Sequence, residues 1–210
     1  MNKKISMPVI RRLPKYYRYL SELGNKERIS SNELSILMST TPSQVRQDLN
    51  CFGGFGQQGK GYPVKELKES IGEILGLNNH YNAILLGAGN LGRAVATHMN
   101  FENLGFNLIA IFEKDENIIG TMLRGLEIKS DDEINDFVNN NKVDAVFLCL
   151  PERSVMSHVD ILYDLGLRNF WNFSHYNIEK KYKDTTVENL HMTDSLMTLC
   201  YRIAQKNTTI

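Results

Sequence analysis

The sequence predicts an α/β protein: an N-terminal winged helix-turn-helix, then a doubly wound parallel sheet of the Rossmann type, then a C-terminal helix. Three observations carry this. Apolar residues recur at helical spacing in three short blocks before residue 52, and a glycine-rich stretch follows them. Near residue 80 the pattern changes to strand-length apolar runs alternating with amphipathic segments. The first of those runs leads directly into Gly87-Ala88-Gly89-Asn90-Leu91-Gly92. The expected divisions are 1–78, 79–188 and 189–210.

A chain of 210 residues, 42% hydrophobic, is long enough for two cored domains. Its net charge of zero conceals an asymmetry. Residues 1–80 hold 12 Lys and Arg against 7 Asp and Glu, and the remainder reverses this with 12 against 17. A basic module joined to an acidic one fits a nucleic-acid reader on a non-binding partner domain, and it also fits chance clustering of solvated charges. The longest apolar runs, such as Ala83–Leu86 and Leu108–Phe112, are too short to span a bilayer, and the N-terminus lacks the apolar stretch of a signal peptide. A cytoplasmic protein is expected. Cys51, Cys149 and Cys200 form no CxxC pair, and the five histidines show no ligand spacing, so neither a disulfide framework nor a metal site is expected.

The first helical stretch runs from Pro8 to about Gly24, with Val9, Ile10, Leu13, Tyr16, Tyr17, Leu20 and Leu23 on one face and Pro14 marking a kink or a later start. Ser30 to Glu33 offers an N-cap with an acid behind it, ahead of Leu34, Ile36, Leu37 and Met38. Thr41 then caps a third helix that opens on Pro42. That helix has only Val45 and Leu49 as apolar residues, so Ser43, Gln44, Arg46, Gln47 and Asn50 are expected to point outward. Arg and Gln can reach guanine and adenine edges in a major groove, and the Ser43 hydroxyl a phosphate, while Arg12 adds a basic flank. The alternative is an ordinary three-helix unit with a solvated last helix. Between Gly53 and Gly61 five of nine residues are glycine, which reads as a tight hairpin whose tip carries Gln57, Gln58 and Lys60. Such a wing can lie along a phosphate backbone. An amphipathic helix, Val64 to Leu77, closes the unit.

A glycine loop is weak evidence alone and strong evidence between a buried strand, Tyr81–Leu86, and a helix. Gly87 makes the turn, Gly89 lets backbone approach a pyrophosphate, Gly92 permits close helix–strand packing, and the helix N-terminus supplies N–H groups. Asn107–Phe112 forms the second strand and ends at Glu113, 21 residues after Gly92, where an acid can accept from a ribose diol and favour NAD over NADP. Lys114 partly offsets that preference. A helix over Asp131–Asn139, a strand over Val143–Leu150 ending at Pro151, a helix over Ser154–Leu165 and a strand over Asn169–Phe173 continue the alternation. Cofactor is expected at the strand C-terminal edge, near Pro151 and Asn172. Only 37 residues follow Phe173, too few for a substrate domain, and no carboxylate orients His175 as a general acid, so no catalytic residue is assigned. The final amphipathic helix, Asn189 to Gln205, either packs on its own domain or inserts into a partner.

Taken together, the chain resembles the Rex family of bacterial redox-sensing repressors. The resemblance rests on Ile10-Arg11-Arg12-Leu13-Pro14, Tyr16-Tyr17-Arg18-Tyr19-Leu20, Val45-Arg46-Gln47-Asp48-Leu49, Phe52-Gly53-Gly54-Phe55-Gly56, Gly59-Lys60-Gly61-Tyr62, the glycine loop with Arg93-Ala94, and Val187-Glu188-Asn189. It implies a homodimer with swapped C-terminal helices on a palindromic operator. It further implies release from DNA when NADH displaces NAD⁺, with Arg18 and the positions of His98 and His191 forming an inter-subunit cluster near the nicotinamide. Departures from the family pattern are specific. Gln47 and Gln58 stand where the family usually has basic residues, His98 and His191 where it tends to have Tyr and Asp, and Ser174-His175 where it commonly has Ala-Pro. These changes are expected to alter NADH sensing, and to make it pH-dependent, rather than to abolish NAD(H) binding. The alternatives are a repressor with altered or lost NADH response and, in another class, a small NAD-dependent oxidoreductase.

Overall fold

In the computed structural model, which describes residues 5–53 and 60–208, the chain divides into two compact units, Met1–Asn79 and His80–Ile210. The first unit opens with two helices where one stretch is expected: α1 (Met7–Ile10) and α2 (Leu13–Glu22). The break falls at Arg11-Arg12 because Pro14, which has no N–H to donate, is tolerated only in a first turn. β1 (Arg28–Ile29) precedes α3 (Ser31–Met38), whose capping box is formed: Ser30 Oγ accepts from the Glu33 N–H at 3.2 Å and Glu33 Oε2 accepts from the Ser30 N–H at 2.8 Å. α4 (Pro42–Asn50) is capped by Thr41, whose Oγ1 accepts from the Gln44 N–H at 3.2 Å. β2 (Tyr62–Pro63) pairs antiparallel with β1 and leads into α5 (Val64–Leu75). Leu13, Tyr16, Leu20, Leu34, Val45, Leu49, Leu67 and Ile71 form the core.

The tip of the expected wing, residues 54–59 with Gln57 and Gln58, lies outside the described residues. β2, on its C-terminal side, pairs with β1. Gly61 sits there at φ +67, and a Cβ would stand 2.7 Å from the Ile29 carbonyl oxygen, so glycine is required.

The second unit is a seven-stranded sheet built on β3 (Tyr81–Leu86), β4 (Phe106–Glu113), β5 (Met122–Leu123), β6 (Leu126–Ser130), β7 (Ala145–Leu148), β8 (Asn169–Asn172) and β9 (Thr186–Asn189). Its order is β5-β6-β4-β3-β7-β8-β9, and every pairing is parallel except β5 with β6. The strand order runs outward from β3 to β4 on one side and to β7 on the other, which makes a topological switch point. Helices α6 (Asn90–His98), α7 (Ile134–Asn140), α8 (Glu152–Asp164) and the short α9 (Ile178–Lys181) connect the strands. Ile84, Leu86, Phe112, Val146 and Leu148 pack under Val155, Val159 and Leu162 of α8 on one face. Ala83, Leu85, Ile111 and Phe147 meet Val95 and Ala96 of α6 on the other.

α10 (Met192–Thr208) follows β9. Leu196 and Tyr201 are 66% and 65% exposed, and Met197, Leu199 and Ile203 are exposed as well. The helix thus leaves an apolar face uncovered by its own unit. Among the described residues, no helix is long and apolar enough to cross a membrane, and no group of three or more potential metal ligands occurs.

Candidate functional site

Two surfaces carry the sequence-predicted residues, one in each unit. In the first unit, the outer side of α4 presents exposed Ser43, Arg46, Gln47 and Asn50, which line a polar depression with Ser6 and Cys51. Arg46 is held in place: its guanidinium donates to Ser31 Oγ at 3.1 Å and to Ser43 Oγ at 3.2 Å, bridging the starts of α3 and α4. Lys60 is exposed at the wing base, where Arg28 donates to the Lys60 carbonyl at 2.6 Å and the Gly61 carbonyl at 2.9 Å. Gln58 lies outside the described residues.

Two residues expected at the DNA surface are otherwise engaged. Arg12 makes a bidentate pair with Asp48, Nε to Oδ2 at 2.7 Å and Nη2 to Oδ1 at 2.6 Å, and its guanidinium is one third exposed. Gln44 is half-buried, not outward, and its amide donates to Asp48 Oδ1 at 2.8 Å. Asp48, fully buried, is the residue the sequence reading missed. It lies three residues after Val45 and beside Leu49, on the helix face that meets the core, where apolar counting alone overlooks a carboxylate. Burial would raise its carboxyl, but hydrogen bonds from Arg12, Gln44 and Tyr16 hold it below the ordinary carboxylate range. Tyr16 is in turn raised, by burial first and by the neighbouring carboxylate.

In the second unit the loop between β3 and α6 has the geometry of an anion cradle. Gly87 is at φ +94, and a Cβ there would stand 2.6 Å from the Cys149 carbonyl oxygen. A Cβ at Gly92 would collide with the Gly87 carbonyl, whereas one at Gly89 would meet nothing within 4 Å. Gly87 and Gly92 are thus fixed by packing, and Gly89 faces open space. Asn90 and half-buried Leu91 begin α6, whose first turn has no side-chain cap, unlike α3 and α4. Its N–H groups suit an anionic group.

Glu113 is 9% exposed and reaches back from the end of β4, where Oε2 accepts from the buried Ala88 N–H at 2.7 Å and Oε1 from Lys114 N at 2.8 Å. Arg93 Nε donates to the Ala88 carbonyl at 3.0 Å, so the loop is held from both sides. Lys114 and Pro151 are exposed at the same strand edge. Asn172 is turned into the fold. It is fully buried, and its amide is saturated: Nδ2 donates to the Tyr176 carbonyl and Asn189 Oδ1, while Oδ1 accepts from the Ser174 N–H and Oγ–H.

Of the three residues that the resemblance places near a nicotinamide, Arg18 is exposed on α2 in the first unit, with its guanidinium 5.2 Å from the Tyr19 ring centre. His98 is the exposed last residue of α6. His191 precedes α10; its Nε2 lies 3.2 Å from the Ser174 carbonyl oxygen, and its ring centre is 4.9 Å from that of His175. The structure thus joins His191 to the Ser174-His175 pair. Cys149 is a structural thiol, pushed up to about 12 by burial, while Cys51 and Cys200 are exposed.

Comparison with known proteins agrees with this division. Residues 4–50 match a family described as putative DNA-binding protein N-terminus, and residues 78–176 a CoA binding domain. A redox-sensing transcriptional repressor Rex from Clostridium botulinum (strain Eklund 17B / Type B) is 47% identical over 207 residues, covering 98% of each chain. One from Clostridioides difficile (strain 630) is 47% identical over 95% of this chain and 96% of its own. Among solved structures, RSP in complex with β-NAD⁺ and operator DNA superposes with a TM-score of 0.88 at 45% identity, covering 99% of this chain and 96% of that one. RSP in complex with β-NADH gives 0.89 at 42% identity, over 99% and 98%.

Proposed function

We propose that this chain, which belongs to the Rex family of redox-sensing transcriptional repressors, reads operator DNA with its first unit and the NADH/NAD⁺ ratio with its second. It is a repressor and not an enzyme. The observation that carries the cofactor half is the loop clamped by Glu113 through the Ala88 N–H, with Gly89 open and α6 uncapped. A pyrophosphate fits the open side of that loop, and the adenosine ribose fits the end of β4. Gly87, Ala88, Gly89, Asn90, Leu91, Gly92, Glu113, Lys114 and Pro151 are the residues we assign to it.

On the DNA side we assign Ser43, Arg46, Gln47 and Lys60, with Arg46 the strongest candidate for a base edge because two hydroxyls already orient it. We extend the assignment to Gln58 at the wing tip on the sequence pattern alone. A homodimer joined through α10 suits two half-sites of a palindrome. A role on operator DNA also implies a cytoplasmic location.

The test is a mobility shift on the palindromic operator across NADH/NAD⁺ ratios. Retention with NAD⁺ and release by NADH is expected, and indifference to both dinucleotides would overturn the sensing role. A second reading, a repressor with altered response, is favoured by the contact of His191 with His175 and the Ser174 carbonyl, which ties up the residue that the resemblance places at the nicotinamide. Release that needs a much higher NADH ratio, restored by His191→Asp, would establish it.

A further inference from the structure

Arg28, on β1, lies between the two parts of the first unit assigned to DNA. On one side its guanidinium holds the chain at Lys60: Nε donates to the Lys60 carbonyl at 2.6 Å and Nη2 to the Gly61 carbonyl at 2.9 Å. On the other side β1 runs into the start of α3, where Ser31 Oγ accepts from the Arg46 guanidinium of α4 at 3.1 Å.

Carbonyls are neutral acceptors, so Arg28 keeps its positive charge uncompensated. Other arginines of the chain do not: Arg12, Arg124 and Arg168 each meet a carboxylate, those of Asp48, Glu102 and Asp184. Among the described residues Arg28 has no carboxylate partner. The acids close to it in sequence are engaged elsewhere. Glu27 lines a depression with Lys65 and Lys68, and Glu33 pairs with Lys26 and closes the α3 capping box. Arg28 is exposed, and a guanidinium that spends two N–H groups on carbonyls has others left to donate. The clamp also restricts in advance a long side chain that would otherwise lose its rotamer freedom on binding. A fixed, exposed guanidinium of this kind suits a phosphate oxygen.

The two grooves of a DNA duplex are separated by the sugar–phosphate backbone. A recognition helix in the major groove and a wing at the neighbouring minor groove leave that strand running between them. We propose that Arg28 is a DNA-backbone contact, clamping a phosphate of the strand that passes between α4 and the wing. The inference rests on the DNA assignment above and adds a residue to it, one that supplies affinity without reading a base.

Salt titration of DNA binding by the full chain with NAD⁺ tests it. The probes are a palindromic duplex selected by the unmodified chain and the same bases in scrambled order. Arg28→Gln keeps an amide donor for the carbonyls and removes the charge. Its slope of log affinity against log salt is expected to be shallower by about 0.9 per subunit on both probes. At about 0.1 M salt its affinity should be lower by roughly ten-fold per subunit. Arg28→Lys, which keeps the charge, should retain the unmodified slope. So should Lys65→Gln, which removes a charge from the separate depression. An unchanged slope in Arg28→Gln overturns the inference even if affinity falls, because a purely structural clamp does not alter the number of ions released. A change confined to the selected duplex, or one that Arg28→Lys or Lys65→Gln reproduces, overturns it as well. An unmodified chain that binds neither probe would instead overturn the DNA assignment, and this inference with it.

Discussion

Asp48 ties two residues of the first unit, Arg12 and Tyr16, to the helix that carries Arg46. Asp48→Asn keeps the shape but leaves Arg12 facing a neutral amide. The loss should be roughly 3 kcal/mol in urea unfolding, at the lower end for a buried pair because Arg12 is partly solvated. The pH dependence has a definite sign. The folded carboxyl lies below its unfolded range, so its contribution is fully present above that range and disappears as pH falls through the folded value. Unfolding midpoints of the native chain should therefore drop on acidification more steeply than those of Asp48→Asn; parallel curves would contradict the role. His158 has the opposite sign. Raised when folded, it contributes below the unfolded imidazole value, and that contribution is lost as pH rises through the folded one. The glycine loop gives a second residue-scale contrast. Gly92→Ala meets the Gly87 carbonyl and should compromise folding, while Gly89→Ala meets no protein atom and should fold normally but bind NADH poorly. Circular dichroism beside NADH titration separates the two, and full NADH affinity in a folded Gly89→Ala would remove Gly89 from the cofactor site.

Helix caps set the elements of the first unit, and they were the most legible features of the sequence. Ser30 and Thr41 cap α3 and α4 as their positions suggest, because a hydroxyl before a helix has a local partner to find. Ser30→Ala should cost about 1 kcal/mol in urea unfolding, and no measurable change would show that the Lys26–Glu33 pair, rather than the cap, holds that turn. The glycine loop was equally legible, since each glycine answers a local steric need. The elements that escaped are those defined by distant partners. β1 has two residues, β6 shows one buried side chain among five, and β9 none, so no apolar period marks them. The same holds for residues. Arg12 and Asn172 look available in a linear sequence, and only the packing brings Asp48 and Asn189 within reach of them.

At the scale of the whole molecule, α10 is the feature a single chain cannot explain. None of its apolar side chains belongs to a core cluster, yet Met192, Leu196, Met197, Leu199, Tyr201 and Ile203 all stand more than half exposed. A helix with this much uncovered apolar surface suits a partner, and the homodimer proposed above would cover it. Truncation before Met192 should therefore leave the unfolding midpoints of both units nearly unchanged, because it removes no core contact. The same truncation should convert a dimer to a monomer in sedimentation velocity. Operator affinity should fall by several orders of magnitude, because a monomer engages one half-site and loses the second, intramolecular binding event. Leu196→Glu/Leu199→Glu makes the same test without shortening the chain. A truncated protein that still sediments as a dimer, or one whose second unit unfolds, would mean that α10 serves its own subunit and that the two half-sites are joined by another surface.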